Sequence, residues 1–178
     1  MKRDEFEHAI RAAGAILGVN EVIVIGSQAL HGSIEGDLPE EATRSVKVDV
    51  AIPGDLEGRL ADLIDGSIGE ASMFHATFGY YAQGVVEGTA VLPAGWRKRL
   101  VRFETPATNG VVAWCLEVHD LWISKAIAGR PKDREFCRAL VDAGVVRGHV
   151  LRRRLTATQD LDERVRTAVL RWIPAKGD

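Results

Sequence analysis

Residues 21–33 read EVIVIGSQALHGS, and residues 45–52 read SVKVDVAI. The first stretch is an apolar, β-branched run that breaks at Gly26. It predicts a buried strand over 21–26 and a short helix over 27–33 with Ser27 as its N-cap. The second alternates polar and apolar residues strictly, as a half-buried strand does. Its period of two puts Ser45, Lys47 and Asp49 on one face and Val46, Val48 and Val50 on the other. Between them, residues 34–44 form a polar loop with Gly36 and Pro39. If the two strands are neighbours, a Gly-Ser turn and a carboxylate are brought within reach of each other.

The flanking sequence extends this pattern. Residues 4–17 space Phe6, Ile10, Ala13, Ile16 and Leu17 as one helical face, with acids in the first turn. Pro53 and Gly54 end the second strand. DLEGRLADLIDG (55–66) predicts a helix with Leu56, Leu60, Leu63 and Ile64 turned inward. Two short strands are expected within 74–92. The segments 96–105 and 110–118 flank PATNG, whose Asn-Gly pair signals a hairpin. From residue 118 the period is helical. HDLWISKAIAG ends at Gly129, and PKDREFCRALVDAG starts with Pro131 and ends at Gly144. VRGHVLRRRL and DLDERVRTAVLRWI give two more helices. The expected fold is α/β (α+β): a mixed β-sheet flanked by helices, with a C-terminal helical bundle. Residues 1–117 form its core, and 118–178 a helical region packed on that core.

Composition narrows the class. The chain has 178 residues, 46% hydrophobic and 27% charged, with a formal net charge of −2. That is ordinary globular composition for one compact domain. No apolar run approaches the roughly 18 residues that span a bilayer, and the N-terminus does not read as a signal peptide, so a cytoplasmic protein without a membrane partner is expected. The two cysteines, Cys115 and Cys137, read as reduced core residues. No CxxC or HExxH spacing suggests a structural zinc site. The near-neutral total hides a segregation. Residues 1–94 hold 6 basic and 15 acidic residues, whereas 95–154 hold 13 basic and 6 acidic. The basic block could receive phosphates, or it could be a solvated face that balances the acidic half.

The Gly26–Ser27 pair and the strand carrying Asp49 resemble the signature of the polymerase-β-type nucleotidyltransferase superfamily. There a Gly-Ser or Gly-Gly pair precedes an acidic–apolar–acidic strand. Asp49 matches the second acid, Lys47 stands in place of the first, and the gap between Ser27 and Lys47 is longer than usual. A second stretch, LEVHDLWISKAIAGRPKDREFCRAL, is similar to the C-terminal motif of AbiEii-type nucleotidyltransferase toxins and of the small DUF6036-like group. The matching positions are Asp120, Lys125, Arg130, Lys132 and Asp133. HATFGYYAQGV and LPAGWRKRLV also look typical of that group.

The resemblance implies a toxin of a toxin–antitoxin system that transfers a nucleotide from an NTP to RNA, with tRNA as the acceptor and Mg²⁺ as cofactor. Gly26, Ser27, Lys47, Lys125 and Arg130 would bind the nucleotide, and Asp49 would ligate the metal. Asp49, Lys125 and Asp133 would carry catalysis, with Asp133 orienting or deprotonating the nucleophile or fixing Lys125. Arg130, Lys132, Arg97 and Arg99 would contact RNA phosphates. Ser45 is a candidate for phosphorylation by a cognate antitoxin, since a phosphate beside Asp49 would repel an NTP. Lys47 leaves three outcomes open. It points elsewhere, it substitutes its ammonium for one metal ion, or it disables the site and leaves a binding protein. Modification of a small molecule such as an antibiotic is a further alternative on the same fold. His31, next to the Gly-Ser turn, is a candidate pocket residue.

Overall fold

The computed structural model describes residues 1–36 and 38–174. Asp37 in the expected loop, and residues 175–178 of the expected C-terminal region, lie outside the described residues. The fold is mixed α/β, with five strands in the order β3-β2-β1-β5-β4. The strands are β1 (Glu21–Val24), β2 (Lys47–Ala51), β3 (Tyr81–Val85), β4 (Val101–Phe103) and β5 (Val112–Cys115). β1 runs antiparallel to β2, with Val24 opposite Val50, and parallel to β5. β2 is parallel to β3, and β4 is antiparallel to β5. The strand that ends at the Gly26–Ser27 turn and the strand that carries Asp49 are therefore neighbours.

The central strands are buried because their residues are apolar on the covered faces: Val22, Val24, Val48, Val50 and Ala113 are fully enclosed. Helix α1 (Arg3–Leu17) follows the expected stripe, burying Phe6, Ile10 and Ala13, and it packs on α4 (Arg59–Ile68) and along the sheet. The one-turn α2 (Leu30–Ser33) crosses β5 and β4. At the hairpin, Asn109 and Gly110 both take positive φ, at +52° and +80°, the conformation that an Asn-Gly pair tolerates. The C-terminal helices are α6 (Val118–Ala128), α7 (Pro131–Asp142), α8 (Gly148–Thr156) and α9 (Glu163–Leu170). One apolar cluster runs from Met1 through the sheet to Leu121, Trp122, Leu151 and Ile173. The Trp122 Nε1–H donates to the Cys137 carbonyl at 3.0 Å and locks α6 against α7. Both cysteines are buried free thiols, and burial pushes each up to about 12.

Four local expectations are corrected. Gly26, not Ser27, occupies the N-cap position of the 3-10 turn Ser27–Ala29. Residues 73–78 are a helix, α5 (Met73–Phe78), rather than a strand. Ser72 caps it by accepting from the His75 N–H, and Gly79, at φ +78°, ends it. One strand then remains in 74–92, and residues 87–89 form a 3-10 turn. Leu56 is 90% exposed and Leu63 is exposed as well. Asp55 accepts from the Leu60 and Ala61 N–H groups, so α4 starts only at Arg59 and Leu56 lies outside its inward stripe. Finally, the loop 34–44 contains a one-turn helix, α3 (Glu40–Thr43), and β2 begins at Lys47, which leaves Val46 exposed.

Candidate functional site

At the end of β1 the chain turns beside β2, with the Ile25 N–H donating to the Asp49 carbonyl at 3.2 Å. The Asp49 carboxylate lies against Gly26. A Cβ at Gly26 would stand 1.9 Å from Asp49 Oδ2, so any side chain there would have to displace the carboxylate. The φ of Gly26 is an ordinary −83°; glycine is required by space and not by backbone conformation. The two halves of the first sequence motif are thus in direct contact.

Lys47 projects from the same face of β2. Its ammonium lies 2.8 Å from Asp49 Oδ1 and donates to Gln83 Oε1. Gln83 sits on β3 directly opposite Asp49 in the parallel register. Ser45, at the start of this segment, is held by its own turn, its hydroxyl donating to the Lys47 carbonyl at 3.1 Å. The Ser45 carbonyl accepts from the Met1 ammonium at 2.7 Å and from Gln28 Nε2 at 3.2 Å.

The second motif folds back onto the first. Helix α6 ends at Gly129, in the left-handed region, and Pro131 begins α7 at once, so Lys125, Arg130 and Asp133 surround a tight corner. Asp133 is buried and takes a two-point contact from Arg130, Nε to Oδ2 at 2.6 Å and Nη2 to Oδ1 at 3.2 Å. Lys125 Nζ lies 3.5 Å from Oδ1 and over the Phe136 ring. Burial works to raise the Asp133 carboxyl, but the Arg130 hydrogen bond and the charges of Lys125 and Arg130 outweigh it and hold it below the usual carboxylate range. The same hydrogen bond raises the Arg130 guanidinium.

These groups line one cleft of about 780 Å³. Gly26, Ser27, Ser45, Lys47, Asp49, Lys125, Arg130, Lys132 and Asp133 all face it. Residues 26 to 133, far apart in sequence, meet there because β1 and β2 are adjacent and the α6–α7 corner lies across their ends. The sequence reading missed Gln83, Arg44, Glu41 and Glu135, which also line the cleft. Gln83 had a signal in its polar position on a strand, but nothing local places it opposite Asp49.

Two expected RNA contacts lie outside the lining. Arg99 grips the buried carboxylate of Asp120, Nε to Oδ2 at 2.8 Å, and Arg97 pairs with Glu87 and stacks on Trp96. Asp120, from the second motif, is also 2.9 Å from Arg154 Nε, so it ties α6 to α8 and to the segment before β4. Beside it, His119 accepts the Arg147 N–H at Nε2 and faces Glu117 at Nδ1, which makes it a structural residue rather than a cleft residue. His31 is buried and stacked on Phe6, away from the cleft lining.

The family model described as a nucleotidyltransferase of unknown function (DUF6036) matches residues 5–174. The chain belongs to that family. Comparison with curated proteins and with solved structures finds no match. Nucleotidyltransferase-like sites hold Mg²⁺ with a pair of carboxylates two residues apart, and of that pair the sequence retains only Asp49 as the expected metal ligand. In this member of the family the residues do not fit that arrangement. Lys47 stands in place of one acid and its ammonium covers Asp49 Oδ1, while Asp133 is engaged by Arg130. Among the described residues no group of three or more His, Cys, Asp or Glu side chains could hold a metal ion. Also among the described residues, no helix is long and apolar enough to cross a membrane.

Proposed function

We propose that this nucleotidyltransferase-family protein transfers a nucleotide from a nucleoside triphosphate to RNA, with tRNA as the acceptor, and that it acts as the toxin of a toxin–antitoxin pair in the cytoplasm. One observation carries this reading: a single cleft gathers Gly26, Ser27 and Asp49 from the first motif with Lys125, Arg130 and Asp133 from the second. The chemistry suits these groups. An RNA hydroxyl oxygen attacks the α-phosphorus and forms a new P–O bond. The bond from the α-phosphorus to the bridging oxygen breaks, pyrophosphate leaves with that electron pair, and the hydroxyl proton is released. Lys125, Arg130 and Lys47 supply donors to the phosphates, each ammonium having three N–H groups to share. Ser27 and the backbone at Gly26 hold the terminal phosphates, and Lys132 at the mouth meets the RNA backbone. Asp133, buried and held below the usual carboxylate range, positions Lys125 and Arg130 rather than taking a proton.

A cognate antitoxin would have two routes to silence this cleft, by covering it or by phosphorylating Ser45, which lines it beside Lys47. The Lys47–Asp49 contact favours a second reading, a family member that binds nucleotide without turning it over. Incubation with each labelled NTP and total tRNA, with an aminoglycoside in parallel, separates the readings. Label in RNA that is lost in Asp49→Ala supports the transferase. Nucleotide binding with no transfer to either acceptor supports the binding protein, and label on the antibiotic alone moves the acceptor to a small molecule. Growth arrest on expression, relieved by Lys125→Met, tests the toxin role.

A further inference from the structure

The cleft has one cation that a two-metal site has no use for. Lys47 is held at both ends of a short bridge, 2.8 Å from Asp49 Oδ1 on β2 and hydrogen-bonded to Gln83 on β3, so its ammonium is fixed on the cleft floor rather than free to swing into solvent. Asp49 has little freedom to choose another partner. Its other oxygen, Oδ2, is packed over Gly26, in the space that a side chain there would fill. A Mg²⁺ ion ligated by Oδ1 at about 2.0–2.1 Å could stand no farther than about 4.9 Å from the ammonium, a close approach of like charges with no second carboxylate on β2 to offset it. The buried carboxylate of the cleft, Asp133, is already shared between Arg130 and Lys125.

We infer that Lys47 is a built-in counter-cation and that the cleft takes up the triphosphate of a nucleotide without a divalent metal ion. This rests on the nucleotide-binding reading of the cleft. Lys47 spends two of its three N–H donors on Asp49 and Gln83 and keeps one for a phosphate oxygen. Lys125 adds a further ammonium group to the lining, and Arg130 adds a guanidinium. Asp49 then serves to hold the ammonium in place, and Gly26 serves to let Asp49 do so.

The test is calorimetric titration of ATP, and separately of inorganic triphosphate, into the full chain, once in EDTA and once in excess Mg²⁺. Wild type is expected to bind ATP in EDTA with an affinity equal to or tighter than that in Mg²⁺. Lys47→Met is expected to weaken binding in EDTA by about ten- to a hundredfold, the worth of one charge-assisted hydrogen bond. Lys47→Asp, which restores the pair of acids, is expected to bind ATP only when Mg²⁺ is present. Circular dichroism and thermal melts establish that each variant is folded, and the wild-type arms stand even if a variant is not. Binding by wild type only in Mg²⁺ overturns this inference and leaves the nucleotide pocket intact. Undiminished binding by folded Lys47→Met in EDTA also overturns it. Binding of neither probe under either condition overturns the nucleotide-binding reading itself.

Discussion

His31 makes this protein acid-sensitive by an amount that can be worked out in advance. The imidazole is buried, with its ring stacked on Phe6 at 4.6 Å between centroids. Burial disfavours the imidazolium most, and the nearby charges of Arg3 and the N-terminal ammonium add to this. A hydrogen bond to the Met1 backbone opposes them, and the net effect lowers the group from 6.5 to about 4. The native state therefore binds this proton later than the unfolded chain does. Stability is present in full above the unfolded value and is lost as the pH falls from about 6.5 toward about 4, where the loss levels off. At about pH 5 the unfolded imidazole is almost wholly protonated and the native one almost wholly neutral, which amounts to about 1.5 protonation decades, or about 2 kcal/mol. His31→Gln keeps a polar group for the Met1 backbone and has nothing to titrate in this range. Urea unfolding of both proteins at about pH 7.5 and about pH 5 gives four free energies. The wild type should lose about 2 kcal/mol more than the variant between the two conditions. Any penalty from repacking, and the similarly lowered His8, cancel in that difference. Equal losses would refute the reasoning.

Three other predictions follow from the same geometry. Gly26→Ala must drive the Asp49 carboxylate from 1.9 Å to at least 3.0 Å from the new methyl group. It should cost about 1–3 kcal/mol of stability and about 10²-fold in any turnover that uses Asp49; a crystal structure with Asp49 unmoved would contradict it. Asp120→Ala strands Arg99 and Arg154 beside a buried gap and should cost about 3–5 kcal/mol in urea melts; a loss under 1 kcal/mol (about the worth of an exposed pair) would show the network to be dispensable. Asp133→Asn should be less stable than wild type at neutral pH, with the gap closing as the pH drops below the ordinary carboxylate range, because the wild-type carboxylate stabilises only while ionised. A gap that persists unchanged into acid would exclude the Arg130–Asp133–Lys125 triad as its source.

Much of the fold was legible wherever a local rule acts alone. The α1 stripe, the alternation of β2 from Lys47 to Val50, the Asn109–Gly110 turn and the Gly129–Pro131 break between α6 and α7 all stand where periodicity and turn chemistry put them. The failures occurred where a side chain redirected the backbone. Ser72 capped a helix inside a stretch of strand-forming residues, and Asp55 delayed the start of α4 and left Leu56 in water. Both are short-range hydrogen bonds to backbone N–H groups, and apolar periodicity does not register them.

The sequence by itself determined the local pieces of the site: the Gly26–Ser27 turn, the Lys47–Asp49 strand face, and the Lys125–Arg130–Asp133 corner. Their spacing set which residues share a face, since strand and helix periods are properties of the local chain. Only the tertiary structure decided that these pieces share one cleft, that Gln83 fixes Lys47, and that Arg99 and Asp120 belong to the scaffold. Those outcomes depend on strand order and on which helix lies across which edge. Such arrangements are set by burying apolar faces across the whole chain, so no window of sequence contains them.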